Sequence, residues 1–450
     1  EARSEKREAK IAGGDRSHSS DSDRASDWGR AHPRVCTARS LRGNCRRTTP
    51  ENPVRQLLPL LLLFAEALAA APRQVDAYRW EGVERIVAIG DIHGDYDAYI
   101  GVLQAAGIVD ARGRWKAGAT HLVQTGDIPD RGPDTRRIIE HMSALAKQAK
   151  KRGGRVHNLM GNHEAMNVYG DLRYAVPGEF AAFADQRSAE RRERYFAAAM
   201  ADLKARDPQR FAALPADFRA QWDQAHPLGW VEHRLAWDPR FDTKGAMFRW
   251  VMDSEVSIQI NDSIFVHGGI SHAYCGNSLE SLTTLAHAQL RAGDDGDMGI
   301  LDDSLGPLWY RGLAGVAPAA RRDTVAAILA RHGARHLVIG HTVSEGVIWP
   351  RLDARVIQID TGMSRVYGGH VGWLEIAGGQ LTAGYRDGRV PVPADDAGRL
   401  AYLDAVIALQ PGNSALAERR AALESGALEA AQAQADGAAA DPATICGTSR

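Results

Sequence analysis

Short apolar runs closed by glycine recur along this chain. "ERIVAIG" (84–90), "THLVQTG" (120–126) and "RVHNLMG" (155–161) are continuous and rich in β-branched residues, the form of strands buried on both faces. Helical spacing follows the first over 98–109, ending at Gly107, and the second over 135–150, stopping at Gly153-Gly154. Strand, polar loop and helix in alternation predict an α/β fold with parallel strands. From 165 to 250 the strand pattern disappears into Ala- and Arg-rich sequence studded with Trp and Phe, which predicts a helical insertion. Strand signals then return. "VSIQINDSIFVHGG" predicts a hairpin turning at Asn261-Asp262. "ARHLVIGHT", "RVIQIDTG" and "GHVGWLEIAGGQLTAGY" supply the remaining strands.

The ends differ from the middle. Residues 1–53 carry Arg, Ser, Asp and Glu with almost no apolar periodicity, and read as a disordered or non-native leader. The first methionine is Met142, so Val54 is a candidate for the true start. From there, 54–72 has a positive residue at Arg55, an apolar stretch Leu57 to Ala65, and the small-x-small pattern Ala67-Leu68-Ala69. That is the outline of a secretory signal peptide; a Leu-rich buried helix is the plainer alternative. Glu66 and Pro72 interrupt too soon for a membrane span, which needs about 20 apolar residues. A signal peptide implies a periplasmic or secreted protein, its absence a cytoplasmic one. Residues 391–450 form an Ala-rich helical or disordered tail. Its "YLDAVIALQPGNSALAERRAALE" resembles one tetratricopeptide helix pair, but a single copy cannot build a solenoid.

Composition narrows the function. The 450 residues are 44% hydrophobic and 25% charged, with a formal net charge of −1, which gives no electrostatic case for nucleic acid or an acidic membrane. Cys36 and Cys45 fall in the leader, leaving Cys275 and Cys446, which an oxidising compartment could pair if the fold brings them together. With no CxxC there is no cysteine-based zinc site.

The chemistry lies where the apolar runs end. Gly90-Asp91-Ile92-His93-Gly94, Gly126-Asp127, Gly161-Asn162-His163-Glu164, His267-Gly268-Gly269 and Gly340-His341-Thr342 each set metal-capable side chains just past a strand. In open α/β sheets the loops at strand carboxyl ends converge on one crevice. Singly, an Asp there is often a turn or cap residue and a His a structural one; five clusters in this pattern point to one site. Carboxylate, imidazole and carbonyl oxygen without thiolate suit Mn²⁺, Fe or Zn²⁺. The ligands are too many for one ion with open positions, so we expect two ions, manganese first among the three metals. Asp127 bridges them, Asp91 and His93 serve one, and Asn162, His267 and His341 the other.

"GDIHG", "GDIPDRG", "GNHE", "HGG" and "GHT" in this order resemble the metal-dependent phosphoprotein phosphatases of the calcineurin-like metallophosphoesterases. Asp95, "GDIPDRGPD", "FVHGG" and "PLWYRG" (307–312) are similar to the Shewanella-like branch. The similarity runs to about Tyr385, within a catalytic domain of 79–390. It implies a four-layer α/β/β/α sandwich, a dinuclear centre, His163 with Asp130 as the proton-donating pair, and Arg131 on the phosphate. Pro129 stands where the eukaryotic enzymes have Val, and Asp95 where they often have Asn or Gln. Their second phosphate-binding arginine has no clear match; Arg311 is the candidate, with a merely structural arginine as the alternative.

The function so implied is hydrolysis of phosphomonoesters, on a phosphorylated protein or a small ester, by a water shared between two cations. His163 protonates the leaving oxygen, and Glu164 caps or supports its neighbours. Two other functions compete with it. A nucleotide or dinucleoside polyphosphate hydrolase could stack a base on Trp222, Trp230, Trp237 or Trp250. A catalytically silent module could use the tail helices to bind a partner.

Overall fold

A computed structural model describes residues 72–293, 298–315, 319–427 and 446; the leader and signal-like segment lie outside these. The chain opens with a hairpin, β1 (Arg73–Asp76) and β2 (Arg79–Glu81). There follow β3 (Arg85–Ile89), α1 (Tyr96–Ala105), β4 (His121–Gln124), α2 (Thr135–Lys150) and β5 (Arg155–Asn158). Helices fill the next stretch: α3 (Asn162–Tyr169), α4 (Pro177–Ala181), α5 (Ser188–Arg206), α6 (Pro208–Ala212), α7 (Phe218–Ala225), α8 (Trp230–Trp237) and α9 (Ala246–Met252). Then come β6 (Ser257–Ile260), β7 (Ser263–Val266), α10 (Leu279–Ala292), α11 (Ala319–His332), β8 (His336–Ile339), β9 (Trp349–Arg351) and β10 (Val356–Gln358). β11 (Gly372–Ala377), β12 (Gln380–Tyr385), β13 (Gly388–Pro391), α12 (Arg399–Leu409) and α13 (Ser414–Glu424) complete the order.

The strands form two sheets. One runs β13-β12-β11-β3-β4-β5, with β3, β4 and β5 parallel and β11 antiparallel to β3. The other runs β1-β2-β6-β7-β8-β10-β9, in which β7, β8 and β10 are parallel. Side chains alternate between two cores, as the strand period of two requires. Ile86, Ala88, Val123, Phe265, Val338 and Ile357 meet in one apolar layer shared by both sheets. Their neighbours Val87, Ile89, Leu122, Ile264, Val266, Leu337 and Ile339 face the other way, with α1, α2, α10 and α11 residues such as Leu103, Met142, Leu282 and Ile328. Two sheets back to back with helices outside make the α/β/β/α sandwich. The continuous apolar runs follow from burial on both faces.

Local chemistry sets several boundaries. Asp95 caps α1, its side chain accepting from Ala98 N–H, so the helix starts at Tyr96 rather than at 98. It ends at Ala105 rather than 109, and Gly107 takes φ +72. Helix α2 spans the expected 135–150. The hairpin of β6 and β7 turns at Asn261, with φ +53. In the insertion, Trp222 stacks on His226 at 4.2 Å, Trp230 packs on Tyr195 and Phe241, and Trp237 is fully buried. Trp250 packs on the main core. Helix α12 buries Tyr402, Leu403 and Val406 in the layer between the sheets. Cys275 and Cys446, 171 residues apart, are joined by a disulfide. No helix among the described residues is long and apolar enough to cross a membrane.

Candidate metal centre

Each of the five glycine-ended strands delivers its polar residues to one place. Asp91 and His93 leave β3, Asp127 leaves β4, Asn162 and His163 open α3 after β5, His267 follows β7, and His341 follows β8. All are buried. Asp127 is the hub. Its Oδ2 lies 3.9 Å from His93 Nε2, 3.8 Å from His163 Nε2 and 3.3 Å from His267 Nε2. Asp91 Oδ2 stands 4.0 Å from His93 Nε2. On the other side His267 Nε2 is 3.0 Å from Asn162 Oδ1 and 3.1 Å from His341 Nδ1. The two groups, His93–Asp127–His163 and Asp127–His267–His341, thus share Asp127.

Three rings are fixed with one nitrogen turned inward. The Nδ1 of His93 meets the Pro129 carbonyl at 3.2 Å, and that of His267 the Thr125 carbonyl at 2.8 Å. For His341 the roles reverse, Nε2 meeting the Trp309 carbonyl at 3.2 Å. A ring N–H given to a carbonyl leaves the other nitrogen bare for a metal, the usual arrangement behind a ligating histidine. Burial, then His163, pushes His93 down to about 3. Burial, then His267, drives His341 well below the usual range. Both are neutral imidazoles, the form that ligates.

Electrostatics points the same way. Asp91, Asp127, Glu164 and Asp360 are buried within one another's fields. Burial, then Asp360 and Asp127, raises Asp91 well above the carboxylate range. Burial also raises Asp127, but His267 and His163 outweigh it and hold that carboxyl well below its usual value. Such a concentration of buried carboxyls is costly unless cations meet it. Two carboxylates, three imidazoles and an amide oxygen, with no thiolate, fit two borderline-hard divalent ions. Residues Asp91, His93, Asp127, Asn162, His267 and His341 would hold them.

The backbone around the centre is strained, and glycine makes the room. His93, Asp127, Asp130, Arg131 and His341 all take positive φ, between +47 and +71. Non-glycine residues hold this conformation only where their surroundings over-determine it. A Cβ on Gly161 would sit 2.2 Å from Asp127 Oδ1, and one on Gly340 2.7 Å from Asp91 Oδ1. Glu164 braces the floor: Oε2 accepts from Gly161 N–H at 2.8 Å and Asp127 N–H at 2.9 Å, and Oε1 from Ile128 N–H at 2.8 Å.

His163 and Asp130 meet beside Asp127, both buried. Nδ1 of His163 lies 2.5 Å from Asp130 Oδ2, while Asn167 Nδ2 donates to Asp130 Oδ1 at 3.1 Å. Burial pulls the His163 pKa down, but Asp127 and Asp130 outweigh it and raise it above the usual value. Arg131 stacks 4.0 Å over Tyr174, with Tyr367 on a further side at 5.8 Å, and its buried Nε has no hydrogen-bond partner. Arg311 reaches the His341 loop, donating Nη1 to the His341 carbonyl at 2.7 Å and to Thr342 Oγ1 at 3.1 Å.

Sequence reasoning left out Asp360, Tyr174, Tyr367 and Glu179. Asp360 had a signal: "QIDTG" ends an apolar strand with Asp and Gly, as the five clusters do. The tyrosines and Glu179 lie in segments with no such grammar.

A fold and centre of this kind define a metallophosphoesterase. Residues 84–345 match the calcineurin-like phosphoesterase family, and the chain belongs to it. It is 31% identical over 302 residues to an uncharacterised protein of Schizosaccharomyces pombe, covering 65% of this chain and 77% of that one. Shewanella-like protein phosphatase 2 of Arabidopsis thaliana is 29% identical over 301 residues, covering 64% and 73%. Among solved structures, the cold-active protein-tyrosine phosphatase of a psychrophilic Shewanella is 28% identical with a TM-score of 0.52, covering 71% of this chain and 83% of that one.

Proposed function

We propose that this protein hydrolyses phosphomonoesters on phosphorylated proteins, with phosphotyrosine the preferred ester, and works with two divalent cations, manganese first. One observation carries the reading. His163 is buried, with Nδ1 on Asp130 at 2.5 Å and Nε2 facing Asp127 at 3.8 Å, so a proton donor looks into a metal-capable centre.

Two divalent cations in this donor set would supply Lewis-acid activation of a water and of the phosphoryl oxygens. The residues do the rest. Arg131 offers a planar fork to two phosphoryl oxygens, pre-oriented by its stack on Tyr174. As water oxygen bonds to phosphorus and releases a proton to solvent, the bond to the ester oxygen breaks, and Nε2 of His163 gives that oxygen its proton. Asp130 stabilises the imidazolium and fixes its orientation. The ring then regains a proton from solvent. Tyr174 lies 5.1 Å from the His163 ring and Tyr367 5.2 Å from that of His93. These aromatic walls suit an aryl ester, and the Shewanella neighbour is described as a tyrosine phosphatase. Base stacking loses support, since three of the four tryptophans pack within the insertion.

We place the protein in the periplasm or outside the cell, on the signal-peptide pattern and the Cys275–Cys446 disulfide, which suits an oxidising compartment. The test of function is turnover of phosphotyrosine peptide, phosphoserine peptide and diadenosine tetraphosphate by metal-reconstituted protein. Phosphotyrosine peptide should turn over fastest, chelator should abolish the rate, and Mn²⁺ should restore it. Faster turnover of the dinucleotide would replace this reading with the nucleotide one.

A further inference from the structure

A further carboxyl stands behind the His163–Asp130 pair. Glu179, on α4 of the insertion, is as fully buried as Asp130, and its Oε1 accepts the Asp130 backbone N–H at 3.5 Å. The contact belongs to a longer clasp. Arg131 N–H donates to the Tyr174 carbonyl at 3.0 Å, and the Arg131 guanidinium lies 4.0 Å over the Tyr174 ring. At Gly178 a Cβ would come 2.6 Å from Pro133 Cβ, so only glycine lets α4 lie this close to the loop.

The clasped loop needs holding. Asp130 and Arg131 have φ +71 and +68, a conformation that costs energy for each. The Asp130 carboxylate is taken up by His163 and Asn167. On its main chain, the carbonyl takes the Gly132 N–H at 2.8 Å, and the N–H itself is met by Glu179. Burial, then the Asp130 charge, pushes the Glu179 carboxyl up to about 8, so at pH 7 it is neutral and puts no second charge beside Asp130.

We propose that Glu179 is a positioning residue: by holding the Asp130 main chain in its left-handed conformation, it sets the line along which His163 Nε2 delivers its proton to the leaving oxygen. The inference rests on the phosphomonoester reading above.

The test separates proton delivery from general damage through the leaving group. Phosphotyrosine needs a proton on its departing oxygen, whereas 2,4-dinitrophenyl phosphate releases a stable oxyanion and needs none. With metal-reconstituted full chain, Glu179→Ala should lower kcat on phosphotyrosine by about 10- to 100-fold. On the dinitrophenyl ester it should stay within about 3-fold of wild type, with KM and metal content unchanged. Glu179→Gln keeps the acceptor oxygen and should restore the phosphotyrosine rate to within about 3-fold of wild type. Should Glu179→Ala fail to fold or to hold metal, Glu179→Asp withdraws the acceptor by one methylene and is judged by the same ratio of rates. Equal losses on both esters, or no loss on either, with full metal content, would overturn the proposal. A wild type that hydrolysed neither ester would instead remove the phosphatase reading, and this inference with it.

Discussion

Two groups of buried histidines lie on or just past the sheet strands, and only one has the makings of a metal site. Within the strands, His121 of β4 and His157 of β5 share a hydrogen bond of 3.1 Å, with Trp80 packed edge-on 4.5 Å from the His157 ring. The charged group acting on both is the Arg155 cation. Past the strand ends, His93, His267 and His341 face Asp127 and Asp91 instead. In the first group the rings satisfy each other; in the second each spends one nitrogen on a carbonyl and leaves the other bare. Buried imidazole alone is packing. Imidazole with converging carboxylate is a ligand set.

The comparison can be broken at either end. Asp127→Ala should cost the most, at least about 10³-fold in turnover together with loss of bound metal by elemental analysis, since both proposed ions lean on that carboxylate. His163→Asn should retain metal yet lose about 10²- to 10⁴-fold on phosphotyrosine. If it lost metal as well, His163 would be a ligand and the division of roles would fail.

Acid should test the other group. Unfolded histidine protonates near 6.5; in the fold, burial and then Arg155 hold His121 down to about 4, and burial and then His121 drive His157 well below its usual range. Both stay neutral in the fold after the unfolded chain has taken up protons. Their contribution is therefore complete above about pH 6.5 and shrinks as pH falls toward 4, by up to about 1.4 kcal/mol per unit for each. Denaturant midpoints across that window should show the slope. His157→Leu should flatten it at a cost of about 1–3 kcal/mol near neutrality, with metal content and turnover unchanged. A fall in turnover would mean that the two ends are coupled.

What the sequence disclosed depended on how local the signal was. The buried strands were legible because an apolar run needs no context, and α2 because Gly153-Gly154 marks its end. Two of the edge strands, β9 and β1, were not. β9 reads Trp-Pro-Arg, and a proline suits only a strand at a sheet margin, where β9 lies. β1 is exposed throughout and carries no apolar pattern. In the centre, side chains just past a strand declared themselves by position, and Glu164 looked like the brace it is. Glu179 sits in Arg- and Ala-rich helical sequence where a glutamate looks like solvated surface, and only the fold places it behind Asp130.

The strand order also says when the sheet beneath the centre is complete. β3, which carries Asp91 and His93, lies between β4 and β11, pairing Val87 with Leu122 on one side and with Glu375 on the other. Until Gly372–Ala377 has been synthesised, that strand is an open edge. Ligands from the first half of the chain thus stand on an unfinished sheet until the last strands arrive. Such long-range pairing slows folding and prolongs exposure of the edge. Completion of the sheet beneath the centre is thus a late event in the life of the nascent chain: a translation product cut short just before Gly372 would carry all six ligands on a sheet still missing three strands.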